Sequence, residues 1–263
     1  MVQAPSVRPY ANGDLLLETD GAVATLVLNR PSQRNAINLA MWRALPDLVA
    51  DVAADTGLRV VLVRGAGGHF GAGADITEFP EIFASRAAAI GYTTAIDAAT
   101  AALEALDRPV IAWIEGYCIG AGLAVALACD LRICADTAQL GAPPARLGLL
   151  YSLSDTRRLI RAVGHGRARD MLLGATVTSA ADALAFGLAT EVHPADLLTA
   201  AIQAKARDMA DLSGWSQAHA KRIMALIDEG EIADTDLTRG WFAAAGETAH
   251  FKAALARFLG RRS

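Results

Sequence analysis

Two glycine-rich turns are the segments of this chain whose composition could do chemistry. The first, residues 68–75, comes shortly after the apolar stretch 60–63, and the second, residues 115–123, comes directly after the apolar stretch 110–114. Glycines permit positive φ angles and let the backbone approach a ligand closely. Two such turns can direct two backbone N–H groups at one point, which is how an oxyanion hole stabilises the negative charge developing on a carbonyl oxygen. The sequence therefore predicts a site that polarises a carbonyl group.

Ala74 and Ala121 are the two residues whose N–H groups we assign to this hole. Ala74 lies at the end of the first turn, and Ala121 opens a predicted helix after the second. The free N–H groups and the positive dipole end of a helix N-terminus favour a developing oxyanion. The structural alternatives are an ordinary strand-to-helix turn capped by Asp75 and close packing through small residues. The first turn does not supply the G-x-G-x-x-G pattern of a dinucleotide site.

Side chains that transfer protons are missing where the second turn leads into its helix, since no carboxylate occurs between Glu115 and Asp130. General acid–base catalysis needs a side chain that can take or give a proton. The chain has no G-x-S-x-G elbow and no Walker A run. Its histidines show no metal-ligand spacing, so no metal site is predicted. We expect the chemistry to depend on backbone groups.

Composition excludes several classes of partner. The 263 residues carry a net charge of −4, so no polybasic surface for nucleic acid or membrane is expected. The longest uncharged apolar run, residues 116–129, is too short to span a bilayer, and residues 1–10 do not resemble a signal peptide. Cys118, Cys129 and Cys134 fit small core residues of a reducing compartment. A cytoplasmic protein is predicted.

The order of predicted elements indicates an α/β fold with helices on both faces of a parallel sheet. Residues 1–12 are predicted to form a loose arm, and the turn Asp20-Gly21 predicts a hairpin. After about residue 192 the strand signals stop and only helical patterns follow. We divide the chain into a catalytic core at 1–193 and a helical region at 194–263.

Three sequence blocks resemble the enoyl-CoA hydratase/isomerase (crotonase) superfamily. They are LNRP followed by NAIN within residues 28–38, FGAGADI at 70–76 and GYCIGAG at 116–122, and their order and spacing match over nearly the whole chain. The resemblance implies a ClpP/crotonase-type repeated ββα superhelix with a C-terminal helical trimerisation region. It also implies a homotrimer or a hexamer formed from two trimers. The implied substrate is an acyl-CoA thioester, with coenzyme A as part of the substrate and no permanently bound cofactor.

The resemblance assigns roles to particular positions. Ala74 and Ala121 become the donors that stabilise a thioester enolate. The residues expected to contact the coenzyme A part are Asn29, Arg30, Arg34, Ala36, Ala72, Asp75, Ile76 and Lys252.

Two positions depart from the hydratase pattern. The hydratases that this chain resembles carry glutamates where it has Ala124 and Pro144. Neither residue can transfer a proton, so ordinary hydration is not expected.

Residues 144–154 are similar to the methylmalonyl-CoA decarboxylase branch, in which a tyrosine at the position of Tyr151 faces the substrate. That branch has a histidine where this chain has Ala74. Tyr151 is predicted either to bond a substrate carboxylate or to serve as a packing residue. Three functions stay open: a decarboxylase or other lyase, a non-catalytic acyl-CoA-binding protein, and a conventional hydratase that uses other residues.

Overall fold

A seven-stranded mixed sheet forms the centre of the computed structural model, which describes residues 6–260. The strands of the chain are β1 (Ser6–Tyr10), β2 (Leu15–Asp20), β3 (Val23–Leu28), β4 (Val60–Gly65), β5 (Val110–Ile114), β6 (Tyr117–Ile119), β7 (Leu131–Ala135), β8 (Gln139–Gly141), β9 (Val177–Ser179) and β10 (Glu191–His193). The large sheet has the order β1-β2-β3-β4-β5-β7-β10. From β3 to β10 its strands pair in parallel, whereas β1, β2 and β3 pair antiparallel.

The described residues form ten α-helices. They are α1 (Leu39–Ala54), α2 (Phe79–Ile82), α3 (Arg86–Ala105), α4 (Ala121–Leu127), α5 (Leu153–Leu173), α6 (Ala180–Ala185), α7 (Leu198–Ala210), α8 (Gly214–Asp228), α9 (Asp236–Ala245) and α10 (Ala249–Gly260). Helix α1 begins at the Asn38 cap, whose side chain accepts the Met41 N–H, because Asn satisfies an N–H that has no partner within the helix.

Strand β4 shows why a continuous apolar run predicts a strand in a sheet that helices cover on both faces. Val61 and Val63 face the core that contains α1 and α3. Val60 and Leu62 face the opposite core, which contains α7. Successive side chains point to opposite faces, so both sets must be apolar when helices cover both faces.

The predicted hairpin is confirmed, since β2 and β3 pair antiparallel around Gly21, which has a φ of +56°. The prediction of a loose arm at 1–12 is wrong for residues 6–10, whereas residues 1–5 lie outside the described residues. Residues 6–10 form β1 because β2 offers them an open edge, and Arg8 and Tyr10 also bond the carboxylate of Asp51. Pairing with β2 and the bonds to Asp51, rather than a local sequence pattern, therefore explain why these residues form a strand.

A second, three-stranded sheet was not predicted. It has the order β6-β8-β9, and β6 lies within the second glycine-rich turn. Its strands have three residues each, too short to show a period-2 pattern.

The proposed division at residue 193 falls at the end of β10, and the two-part organisation stays a prediction. Helix α7, which follows it, packs on the large sheet through Leu198, Ile202 and Ala206. The first helix of the C-terminal region thus covers one face of the central sheet.

Candidate active site

The two glycine-rich turns are joined at Gly71. The Gly71 N–H donates to the Tyr117 carbonyl at 2.8 Å, and the Ile119 N–H donates to the Gly71 carbonyl at 2.9 Å. A Cβ on Gly122 would lie 2.4 Å from the Gly71 carbonyl oxygen, so the first turn rests directly on the first turn of α4. Glycine at these positions is therefore a requirement of close backbone approach.

Both predicted donors follow a glycine with positive φ. Gly73 has a φ of +125° and precedes Ala74, and Gly120 has a φ of +54° and precedes Ala121. A Cβ on Gly120 would lie 3.7 Å from the Gly73 Cα, so the two donor turns are neighbours in space. Among residues 6–260, neither the Ala74 nor the Ala121 N–H has a hydrogen-bond acceptor. The two groups are thus free to bind a ligand oxygen.

Asn35 anchors the first turn, and sequence reasoning missed it. This fully buried side chain donates to the carbonyls of Ala66 at 2.8 Å and His69 at 2.6 Å, and it accepts the Arg30 N–H at 2.9 Å. Its φ is +58°, a conformation that Asn tolerates better than most residues. The sequence shows Asn35 only as a polar residue of the NAIN block, and it does not show that the side chain bonds the carbonyls of Ala66 and His69.

Arg30 and Asp75 form a largely buried ion pair between the two loops predicted to hold coenzyme A. The guanidinium lies 2.8 Å from the Asp75 carboxylate and donates to the Ala36 carbonyl at 2.7 Å. A hydrogen bond from the Thr77 hydroxyl, followed by the one from Arg30, holds the pKa of Asp75 below its usual value. The structure therefore brings Arg30, Ala36 and Asp75 together, with the Arg30 side chain already partnered.

Arg34 presents a cation at the surface of the same region. Its guanidinium lies 5.4 Å from the centre of the Tyr117 ring, which stacks on His69. Within the described residues it has no carboxylate partner. It is therefore available for an anionic group such as a phosphate.

The other predicted contact residues occupy varied surroundings. The Asn29 amide donates to the Gly13 carbonyl, and Ala72 donates its N–H to the Arg34 carbonyl. Ile76 is exposed, as is Lys252 on α10. Lys252 makes no side-chain contact with this group of residues in the part of the chain that the structure describes. Coenzyme A contact stays a prediction for all of these positions.

Of the two positions that lack carboxylates, Ala124 lies one helical turn after the second donor turn. Ala124 is buried in α4, where its N–H donates to the Gly120 carbonyl at 3.0 Å, and Pro144 opens a short 3-10 helix at Pro144–Leu147. The Tyr151 hydroxyl donates to the same Gly120 carbonyl at 2.5 Å. Burial raises the pKa of Tyr151 well above its usual value, so its hydroxyl stays protonated. Tyr151 could donate a hydrogen bond to a substrate carboxylate only if its hydrogen bond to the Gly120 carbonyl were broken.

Two surface cavities are lined by residues other than the donors. One of about 780 Å³ lies between β2–β4 and α7, and one of about 330 Å³ is lined by His69, Tyr117 and Gln139. Neither is lined by Ala74 or Ala121. The backbone geometry, rather than the size of a cavity, therefore identifies the candidate site.

Comparison with known proteins identifies the family of this chain. The family model for enoyl-CoA hydratase/isomerase matches residues 18–263. The chain belongs to the enoyl-CoA hydratase/isomerase family. It is 31% identical over 250 residues to a probable enoyl-CoA hydratase, echA8, of Mycobacterium tuberculosis, covering 95% of this chain and 96% of the relative. It is 36% identical over 184 residues to the 2,3-dehydroadipyl-CoA hydratase of Escherichia coli, covering 70% and 71%.

A solved structure confirms the fold predicted for this family member. An enoyl-CoA hydratase/isomerase family protein from Hyphomonas neptunium matches with a TM-score of 0.90 and 35% identity, covering 94% of this chain and 95% of that one. The crotonase-like α/β fold is therefore confirmed, whereas the local similarity to the decarboxylase branch stays a prediction. Within residues 6–260, no helix is long and apolar enough to cross a membrane, and no group of side chains is arranged to hold a metal ion.

Proposed function

We propose that this protein binds an acyl-CoA thioester and stabilises its enolate with the N–H groups of Ala74 and Ala121. The observation that carries the proposal is a pair of N–H groups that have no hydrogen-bond acceptor among residues 6–260 and that lie on two turns in direct contact. Family membership supports the acyl-CoA class of ligand. Donors that are already oriented stabilise a developing oxyanion without reorganising during the reaction.

Decarboxylation of a 2-carboxyacyl-CoA is the proposed reaction because it needs little beyond this pair of donors. The C–C bond to the carboxylate breaks and its electron pair moves into the thioester as an enolate. Carbon dioxide leaves, and solvent then supplies a proton to carbon. Hydration instead needs a group that deprotonates water and a group that protonates carbon. Ala124 and Pro144 supply neither, so we favour a decarboxylase or another lyase over a hydratase.

A non-catalytic acyl-CoA-binding protein is the second candidate, and the Tyr151 hydrogen bond favours it. The proton of this phenol is directed at the Gly120 carbonyl. If decarboxylation also requires a side chain that orients the substrate carboxylate, a site in which Tyr151 is engaged with Gly120 would bind the thioester without converting it.

The test is mass spectrometry of a thioester panel after incubation with the pure protein. We expect a malonyl-type CoA ester to lose carbon dioxide and crotonyl-CoA to remain unhydrated. Binding of several acyl-CoAs without turnover would select the non-catalytic candidate. Crotonyl-CoA hydration at rates typical of hydratases would select a conventional hydratase with other residues, and absence of any acyl-CoA binding would refute the proposal altogether.

Ala121→Pro tests the hole itself. Proline is tolerated at the first position of a helix, where a ring methylene replaces the N–H, so α4 should still form. Loss of one oxyanion donor is expected to lower the decarboxylation rate by about 10²- to 10³-fold. Asp236→Pro, at the first position of the exposed helix α9, is the matched control and should retain the wild-type rate. Equal rates in all three proteins would show that the Ala121 N–H is not a donor.

A homotrimer, alone or paired into a hexamer, is the proposed assembly. Support comes from α9 and α10, which bury no residue within one chain and expose apolar side chains including Leu237, Phe242, Phe251 and Leu255. Sedimentation equilibrium would measure the number of copies.

A cytoplasmic location is proposed as well, in agreement with the three buried free thiols.

A further inference from the structure

The Tyr151 hydroxyl bonds the same peptide unit that carries the second donor of the hole. It donates at 2.5 Å to the Gly120 carbonyl, and that carbonyl shares its peptide bond with the Ala121 nitrogen. Because the peptide unit is planar and trans, fixing its oxygen also fixes the direction of its N–H. We infer that Tyr151 is a positioning residue that holds the Gly120–Ala121 peptide so that the Ala121 N–H points at the thioester oxygen.

The local backbone explains why this peptide benefits from a restraint. Gly120 has φ +54° and ψ −116°, in a region that glycine reaches with ease. A glycine has many alternative conformations, including ones that rotate the following peptide. The Gly120 N–H, which belongs to the preceding peptide unit, donates to the Gly141 carbonyl at 2.9 Å. Two hydrogen bonds to the Gly120 carbonyl oppose rotation of the Gly120–Ala121 unit itself, one from the Ala124 N–H and one from the Tyr151 hydroxyl. Only the last involves a side chain, so a single substitution can remove it.

The bond also makes the Ala121 N–H a better donor. A carbonyl that accepts a hydrogen bond withdraws electron density from its amide nitrogen, and bonds in such chains strengthen one another. The desolvated phenol keeps its proton throughout the usual pH range, because burial raises the pKa of Tyr151. The phenol therefore remains a hydrogen-bond donor over this pH range.

This role differs from that of a residue that bonds the substrate. A phenol facing a substrate carboxylate acts only on ligands that have one, and its effect is independent of Ala121. A phenol that positions the hole acts on every thioester, and its effect disappears when the Ala121 N–H is absent. The inference rests on the proposed function, since it assumes that the hole stabilises an enolate.

The pKa of bound acetoacetyl-CoA measures this effect without turnover. The probe ionises to an enolate that absorbs in the ultraviolet, so its titration on the protein reports enolate stabilisation directly. We expect wild type to lower the probe's pKa relative to free ligand. We expect Tyr151→Phe to reverse about one unit of that shift, a roughly tenfold loss, as for removal of one hydrogen bond. Tyr10→Phe removes a hydroxyl that bonds Asp51 rather than the hole and should match wild type.

Tyr151→Phe in an Ala121→Pro background distinguishes positioning from direct contact. The double variant should show no further change beyond Ala121→Pro, because residues that act in series are not additive. Additive effects, or an unchanged probe pKa in Tyr151→Phe alone, would overturn the inference and leave the proposed function standing. A probe pKa in wild type equal to that of free ligand would overturn the proposed function and the inference together.

Thermal unfolding would show whether Tyr151→Phe is misfolded. A second variant keeps the inference testable in that case. Replacing Tyr151 with 3-fluorotyrosine keeps the ring and the hydroxyl and makes the phenol a stronger donor. The pKa of bound acetoacetyl-CoA should then fall below the wild-type value. A value at or above that of wild type would contradict the positioning role.

Discussion

Gly122→Ala should separate the two turns that form the candidate site. The new methyl group would lie 2.4 Å from the Gly71 carbonyl oxygen, where ordinary contacts are 3.4–4 Å. The backbone must therefore move by about 1 Å, an overpacking of the kind that costs about 1–3 kcal/mol. The movement also strains the two hydrogen bonds of Gly71, each worth about 0.5–1.5 kcal/mol.

Helix propensity favours alanine and therefore reduces the loss of unfolding free energy. Alanine is favoured over glycine within a helix by about 1 kcal/mol. The variant should therefore lose about 1–5 kcal/mol of unfolding free energy, given these opposing contributions. It should also bind acyl-CoA more weakly, because the Ala74 and Ala121 N–H groups no longer converge.

Urea unfolding and calorimetric titration with an acyl-CoA are the assays, and Gly91→Ala is the matched control. Gly91 is an exposed glycine of α3, and no atom lies near the position that an added methyl group would take, so alanine there should stabilise by about 0.5–1 kcal/mol. Comparing the two variants isolates the steric clash from helix propensity. If Gly122→Ala is as stable as Gly91→Ala and binds normally, the close approach of the two turns is refuted.

Three further substitutions test the surroundings of the site. Asn35→Ala leaves buried carbonyls without donors and should lower the unfolding free energy by about 1–3 kcal/mol, and an unchanged urea midpoint would contradict the anchoring role. Arg34→Ala should weaken acyl-CoA binding by about two- to fivefold at low salt and less at high salt; the control Arg64→Ala, which removes a side chain paired with Glu18, should not change affinity. Asp75→Asn should lower stability at pH 7, because the pKa of Asp75 is depressed in the fold, so its ionised form stabilises the protein above the unfolded value of about 3.9. That stabilisation is lost as the pH falls through the folded pKa, so urea unfolding at pH 3 should show a smaller difference, and a constant difference would exclude the charge as its cause.

The sequence alone determined the elements that carry a strong local pattern. The stretch 60–63 had to be a strand covered on both faces, and Asp20-Gly21 had to turn a hairpin, because burial and turn chemistry act over a few residues. The two glycine-rich turns were recognisable for the same reason, and their order along the chain identified the family. The absence of a carboxylate at Ala124 and Pro144 was likewise visible once that family pattern was recognised.

The tertiary structure decided which groups meet. The edge strand β1 exists because β2 offers unpaired backbone groups, and the bonds of Asn35 to the first turn join residues more than thirty positions apart. Tyr151 is the sharpest case: the chain pattern allowed either a substrate contact or packing, whereas the fold directs its hydroxyl at the Gly120 carbonyl. A hydrogen bond between residues far apart in sequence depends on the packing of whole elements, and no local period or motif encodes where such a bond will form.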